Sequence, residues 1–205
     1  MLGGGIAMIV MSQLTAGYDR EPVTRPLSGV IECGSMTAIL GANGCGKSTL
    51  LKTLAGFIPP VSGRFHWQKK RPVMGWLAQR HALEAQFPLT VQDVVSMGCW
   101  PETSLFSGLR REMRLRIAGA LERVGLGTMA LTTIDELSGG QFQRMLFARV
   151  LVQQAPLVML DEPFTGVDDA TCNVLMALML EMYMQGQTVL AELHDSARVS
   201  RPFPQ

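Results

Sequence analysis

At 205 residues the chain has the length of one domain and can bury about 70% of the surface its unfolded form exposes, so it needs no disulfide or metal staple. Its 18 Lys and Arg against 17 Asp and Glu leave a net charge of +1, which gives no overall pull toward nucleic acid or anionic lipid. Hydrophobic residues make up 47% of the chain, yet no run approaches the roughly 18 apolar residues of a membrane-spanning helix.

The first stretch, Met1 to Met11, is apolar but lacks a basic leader and a small-residue cleavage site, against a signal peptide. Met8 and Met11 are alternative translation starts. Ile6 to Thr15 has the content of a strand, followed by a turn at Ala16-Gly17-Tyr18. Tyr18 has two readings: an aromatic placed to lie on a nucleobase, or simple packing. Leu27 to Glu32 reads as a second strand, and Thr37 to Leu40 as a short buried one.

Gly41 to Thr49 follows, and it organises the chain. Gly41, Ala42, Asn43, Gly44, Cys45, Gly46, Lys47, Ser48 and Thr49 fit the G-x-x-x-x-G-K-[ST] pattern of a P-loop. Its glycines let the backbone turn N–H groups inward around a phosphate. Lys47 brings a mobile positive charge to the β- and γ-phosphates, and the Ser48 hydroxyl is placed to ligate Mg²⁺. The alternative is a Gly-rich turn that matches by accident, but the strand before it and the helix expected over Ser48 to Ala55 give the motif its required context. Nucleoside triphosphate binding is the expectation. Cys45 sits within the loop as a tolerated small residue. The four cysteines, Cys33, Cys45, Cys99 and Cys172, form no C-x-x-C pair, which argues against a zinc site or disulfide framework and for a reducing compartment.

Gly56 to Pro60 breaks the helical pattern, Val61-Ser62-Gly63 turns into Arg64 to Trp67, and Lys69-Lys70-Arg71 reads as a solvated turn. Val73 to Ala78 is a short strand ending at Gln79, a polar loop residue or a switch that reaches a Mg²⁺-bound nucleotide. Residues 88 to 153 read as mainly helical. A helix runs from Pro88-Leu89-Thr90 through Met97, and Leu109, Met113, Ile117, Leu121 and Val124 form the apolar face of another. Its arginines, Arg110, Arg111, Arg114 and Arg116, fall largely on a solvated face. The 14 methionines are core fillers.

Leu137-Ser138-Gly139-Gly140-Gln141 begins a helix running to about Gln153. Ser138 and Gln141 have capping-box spacing, and the two glycines leave N–H donors and a positive dipole end free for a second phosphate surface. Leu157 to Leu160 is a continuous apolar strand ending in Asp161 and Glu162. Asp161 is placed to hold Mg²⁺ and Glu162 to orient or deprotonate an attacking water. Thr171 to Met184 reads as a helix and Thr188 to Leu193 as a strand ending at His194. The His194 imidazole is either a surface turn residue or a partner for the γ-phosphate.

These residues, in this order, resemble the ATP-binding subunit of an ABC transporter over nearly the whole chain. In that resemblance Tyr18 corresponds to the adenine-stacking aromatic, Gly41 to Thr49 to the Walker A loop and Gln79 to the Q-loop. Leu137 to Gln141 corresponds to the signature, Asp161 and Glu162 to Walker B with its catalytic carboxylate, Asp168 to the D-loop and His194 to the switch histidine. The resemblance implies an α/β P-loop NTPase fold in one domain over 1–205: a mostly parallel sheet, an antiparallel β subdomain, and a helical subdomain at about 88–153 bearing the signature. It implies Mg²⁺ and ATP as ligands, and a head-to-tail homodimer with each ATP between Walker A of one copy and the signature of the other. Membrane permease subunits are implied as partners, with a solute-binding protein reached indirectly, no nucleic acid, and a peripheral place on the cytoplasmic face of the inner membrane.

Phe87 to Val91, Asp93-Val94-Val95, Met97-Gly98 and Asp161 to Asp168 look like the zinc and manganese importer branch, parts of which iron-chelate importers share. Several positions depart from the family pattern. Glu192 puts a charge in a buried strand, Leu193 precedes the switch histidine in place of Ser or Thr, and Phe142 replaces a polar residue after the signature. The chain also ends at Gln205, soon after His194, where family members continue through further strands and helices. Two alternatives follow: a nucleic-acid-associated ABC ATPase, and a nucleotide-binding remnant without full turnover.

Overall fold

The computed structural model describes residues 5–77, 88–102 and 110–193, in two compact units. The first unit contains the described residues up to Trp76, Pro156–Pro163 and those from Met179 onward; the second contains Leu77–Ala155 and Phe164–Leu178.

Strand β1 (Ala7–Thr15) opens the first unit. A two-residue hairpin follows, β2 (Gly17–Tyr18) against β3 (Glu21–Pro22). Then come β4 (Leu27–Glu32), β5 (Met36–Ile39), helix α1 (Lys47–Leu54), β6 (Ser62–Trp67) and β7 (Met74–Leu77). β1 is the centre of an antiparallel sheet ordered β4-β1-β6. Its register breaks between Met11 and Leu14 on one side and between Ser12 and Thr15 on the other, where Gln13 takes a positive φ of 48°. Gly63 makes that kink possible: a Cβ there would lie 1.9 Å from the Gln13 carbonyl oxygen, so only glycine admits the approach.

Two further strands, β8 (Leu157–Leu160) and β9 (Thr188–Glu192), complete a second sheet ordered β5-β9-β8-β7. β9 runs parallel to both β5 and β8. Every residue of β8 and β9 is buried, as a parallel strand covered on both faces requires. Leu157, Met159 and Leu190 pack with Leu50, Leu51 and Leu54 of α1 and with Ile9, Leu14 and Ile31 of the antiparallel sheet in one apolar cluster. Helix α1 is therefore pinned to the sheet that leads into it. Arg71 donates to the Ala55 carbonyl at the end of α1, so one residue of the basic turn caps a helix rather than being merely solvated.

The second unit carries α2 (Val91–Ser96), α3 (Arg111–Arg123) and α4 (Gly139–Gln153), joined by short 3₁₀ turns. α2 begins later than the Pro88 start expected from sequence. The cause is local: Thr90 is extended at φ −86° and ψ 162° and closes a capping box with Asp93, accepting from its N–H at 3.2 Å while the carboxylate accepts from the Thr90 N–H at 2.9 Å. Met113, Ile117, Leu121 and Val124 are buried as their spacing predicts, while Arg110, Arg111 and Arg114 are exposed. Arg116 is only half-exposed and donates to Gln154 at 2.9 Å. Leu109 lies outside the described residues. Gly98 lets the turn after α2 lie on α4, since a Cβ there would sit 2.3 Å from the Arg149 carbonyl oxygen. The last helix, α5 (Asp169–Met184), starts two residues before the predicted Thr171.

Candidate functional site

Three strands of the first unit end at one place. The register sets Ile39 of β5 opposite Glu192 of β9, and Leu160 of β8 opposite Ala191. The loop into α1, the pair Asp161-Glu162 and the end of β9 thus leave the carboxyl edge of the sheet together, the usual ligand position in an open α/β sheet.

The loop from β5 to α1 has the backbone that its glycines require. Gly44 has φ of 78° and Gly46 has φ of 89°, in the left-handed region that favours glycine. Gly41 lies close to the Cys45 sulfur, which a Cβ there would meet at 2.6 Å and have to turn aside. Gly46 is the N-cap of α1 and supplies no side-chain cap, and the first turn has no acidic residue. The N–H groups and positive dipole end at Lys47, Ser48 and Thr49 thus face the loop with no carboxylate of their own helix to compete for them. Asn43, Gly44 and Cys45 are exposed.

Lys47 is 5% exposed. Its ammonium donates to the carbonyl oxygens of Gly41 and Ala42, both at 3.0 Å, and lies 3.5 Å from Glu192 Oε1. An incoming phosphate would replace the two neutral carbonyl partners with an anion. The Ser48 hydroxyl donates to Glu192 Oε2 at 2.6 Å. Asp161 is 2% exposed, and its Oδ1 has no hydrogen-bond partner among the described residues. Burial is the main cause that raises its pKa to about 6; the Ser48 hydroxyl pulls it down and the neighbouring Glu192 carboxyl pushes it up. An orphaned buried carboxylate oxygen beside a serine hydroxyl and an uncapped helix start fits a small, hard cation such as Mg²⁺, which takes one or two carboxylates plus substrate oxygens. Ser48 and Asp161 are the residues that would hold it.

Glu162 is half-buried and has a positive φ of 49°. A non-glycine residue in that region costs about 1–3 kcal/mol, a strain that concentrates at working sites. Tyr18 is 47% exposed, at the end of a hairpin whose two turn residues, Asp19 and Arg20, both have positive φ. That is the twist of a tight I′ turn, and it presents the ring to solvent instead of to a core.

In the second unit, Ser138 caps α4. Its Oγ accepts from the Gln141 N–H at 3.3 Å, and the Gln141 side chain accepts from the Ser138 N–H at 2.8 Å. The capping-box reading and the phosphate-surface reading are compatible: the box locks the helix start, and Gly139 and Gly140 leave its first backbone donors free of bulk. Gly140 lies against Thr171, whose Oγ1 would be 3.0 Å from a Cβ. Thr171 is fixed in turn by Asp168, whose carboxylate accepts its N–H at 2.8 Å. The hydrogen bonds from Thr171 hold the Asp168 pKa below the usual carboxylate range. Phe142 and Gln143 are buried on the inner side of α4. Gln79 and His194 lie outside the described residues.

Glu192 is the site residue that sequence reasoning missed. It reads there as a misplaced charge in an apolar strand, and in the structure it is 3% exposed and bound to both Lys47 and Ser48. The signal available in sequence was its place two residues before His194, at the end of a predicted strand.

Residues 24–165 match the model of the ABC transporter family. The zinc transport system ATP-binding protein TroB of Treponema pallidum is 38% identical over 200 residues, covering 95% of this chain and 75% of its own length. The manganese transport system ATP-binding protein MntB of Bacillus subtilis is 36% identical over 91% of this chain and 77% of its own. Among solved structures, cbiO1 of Clostridium perfringens, part of the transporter complex cbiONQ, superposes with a TM-score of 0.74 at 30% identity, covering 93% of this chain and 79% of its own. The dimeric bacterial cassette MJ0796 shares the fold at a TM-score of 0.81 and 24% identity, over 95% of this chain and 90% of its own. The P-loop built on β5 and α1, the carboxylates closing β8 and these likenesses agree, and the chain belongs to the ABC transporter family.

Proposed function

We propose that this chain is the ATP-hydrolysing subunit of a transport system that moves a metal ion, zinc or manganese, through membrane-spanning permease subunits. One observation carries the chemical part: Lys47, Ser48 and the Asp161 carboxylate, with its unpartnered Oδ1, converge at the carboxyl edge of a single sheet. The zinc and manganese transport systems of the related ATP-binding proteins support the choice of cargo and favour transport over work on nucleic acid. Among the described residues no helix is long and apolar enough to cross a membrane, which suits peripheral attachment to a permease at the cytoplasmic face of the inner membrane, with a solute-binding protein reached only through it.

In this mechanism Lys47 and the N–H groups of α1 bind the β- and γ-phosphates, and Tyr18 lies on the adenine. Ser48, Asp161 and Gln79 would hold Mg²⁺, which would supply positive charge to the phosphate oxygens. Glu162 accepts a proton from the attacking water while His194 steadies the γ-phosphate. The locked start of α4, Ser138 to Gln141, offers its donors to the γ-phosphate held by a second copy, so that ATP joins two copies and hydrolysis parts them. Catalysis is then positioning plus charge stabilisation.

The test is nucleotide titration with Mg²⁺, followed by uptake of labelled zinc and manganese in cells that depend on this chain. The parent binds ATP and restores uptake, and Lys47→Ala does neither. ATP binding by Lys47→Ala at the parent's affinity would contradict the assignment, and restored uptake of neither metal would remove the cargo from it.

A further inference from the structure

The buried carboxylate of Glu192 stands among groups that the proposed reaction uses, and none of the roles above needs it. It comes from β9, while Lys47 and Ser48 come from α1 and Asp161 follows β8. Its Oε2 accepts the Ser48 hydroxyl proton at 2.6 Å and its Oε1 lies 3.5 Å from the Lys47 ammonium. It is also close enough to Asp161 for the two carboxylates to repel each other. All four residues are buried or half-buried, so their charges act on one another through little solvent.

Two consequences follow. A serine hydroxyl that ligates a cation uses an oxygen lone pair, and its proton must point at an acceptor. Glu192 is that acceptor here, so it sets the rotamer in which the Ser48 lone pairs are free. The second consequence is electrostatic. With Asp161 and Glu192 both ionised, two buried negative charges face the buried positive charge of Lys47, the nearby Lys52 being only half-buried, and an unescorted triphosphate enters against a buried excess of negative charge. A divalent cation reverses that sign.

We propose that Glu192 is a positioning residue for the metal end of the nucleotide site, and that its carboxylate makes nucleotide binding strongly dependent on a bound divalent cation. The inference rests on the nucleotide-binding role of the P-loop proposed above.

The experiment measures ATP affinity in excess Mg²⁺ and in chelator for the full chain, Glu192→Gln, Glu192→Asp and Lys47→Ala. Mn²⁺ affinity is read separately by electron paramagnetic resonance in the presence of a non-hydrolysable ATP analogue. Removing one charge within a few ångströms of the phosphates should raise metal-free affinity of Glu192→Gln by about ten- to a hundredfold, so its dependence on metal narrows by that factor. Its Mn²⁺ affinity should fall by about tenfold, as for loss of an outer-shell partner. Glu192→Asp keeps the charge and is too short to reach Ser48, so it keeps the steep metal dependence and loses Mn²⁺ affinity. This split is not expected of a residue that merely packs. Equal ratios of Mg²⁺ to chelator affinity in the parent and Glu192→Gln would overturn the inference, and so would loss of metal dependence in Glu192→Asp. If the parent binds no nucleotide in either condition, the P-loop reading itself fails and this inference falls with it, whereas binding by the parent and not by Lys47→Ala preserves that reading whatever Glu192 does.

Discussion

Replacing Gly46 and Gly44 by alanine, one at a time, separates two reasons for glycine in the phosphate loop. Both have left-handed backbones, at φ of 89° and 78°, so alanine costs about 1–2 kcal/mol at either position from backbone strain alone. Around Gly44 a Cβ meets nothing within 4 Å, so Gly44→Ala should stop at that cost. At Gly46 the new Cβ would lie 2.7 Å from Thr24 Cγ2 and 2.9 Å from Val23 Cγ1. Relieving those contacts adds about 1–3 kcal/mol of overpacking, for a total of about 2–5 kcal/mol. In a domain of this size each kcal/mol moves the unfolding midpoint by about 2–4 °C, so the two variants are separable by calorimetry in the absence of nucleotide. Gly46 is also the N-cap of α1, and yielding there shifts the helix start proposed to bind the phosphates. Gly46→Ala should therefore lose more ATP affinity than Gly44→Ala. Equal midpoints for the two variants would refute the packing part of this reasoning, and no loss at either would refute the strain part.

Other outcomes follow from the same geometry. Thr90→Ala removes the α2 capping box and should cost about 1 kcal/mol in urea unfolding. The Asp93 half of that box has its pKa lowered chiefly by Thr90, so its contribution is present above the ordinary carboxylate pKa and is lost as pH falls through the lowered value. For Asp161 the sign is the opposite. Its pKa rises from 3.8 to about 6, so in the metal-free chain its contribution to stability is full below 3.8 and is lost as pH rises through about 6. The same proton competes with Mg²⁺, so metal affinity measured by calorimetry should fall by up to about tenfold per unit below pH 6; affinity unchanged from pH 7 to pH 5 would contradict the metal role of Asp161. Gly140→Val drives a side chain into Thr171 and should abolish ATP-dependent pairing of copies while leaving ATP binding by one copy intact. Tyr18→Ala should narrow the preference for ATP over GTP more than it weakens triphosphate binding, as parallel titrations with the two nucleotides would show.

Much of this was legible because the signals were local. The glycine spacing around Lys47, the Ser138 and Gln141 box and the apolar run before Asp161 each encode their own geometry over a few residues. β4 and α4 accordingly lie where the sequence puts them, at Leu27–Glu32 and Gly139–Gln153. Helix α1 starts at Lys47, one residue earlier than expected, because Gly46 takes the cap with its backbone alone. The β2–β3 hairpin was hidden because Asp19 and Arg20 adopt positive φ without the Gly or Asn that usually marks such a turn. Arg71 and Glu192 were hidden for another reason. Their partners, Ala55 for one and Lys47 with Ser48 for the other, are distant in sequence and meet only through packing and sheet register. Nor does composition announce the positive φ of Glu162, because adjacent residues alone do not encode it.

In the proposed mechanism two copies of this chain share ATP between the P-loop of one and the start of α4 in the other. Light scattering of Glu162→Gln, with ATP and Mg²⁺ added, tests it most directly. The variant should bind ATP, hydrolyse it at least about a hundredfold more slowly than the parent, and shift from one copy of 22.4 kDa to a pair, and the further change Ser138→Arg should return it to single copies. A Glu162→Gln chain that binds ATP and stays a single copy, or a pair that forms equally well with Arg at 138, would contradict the account.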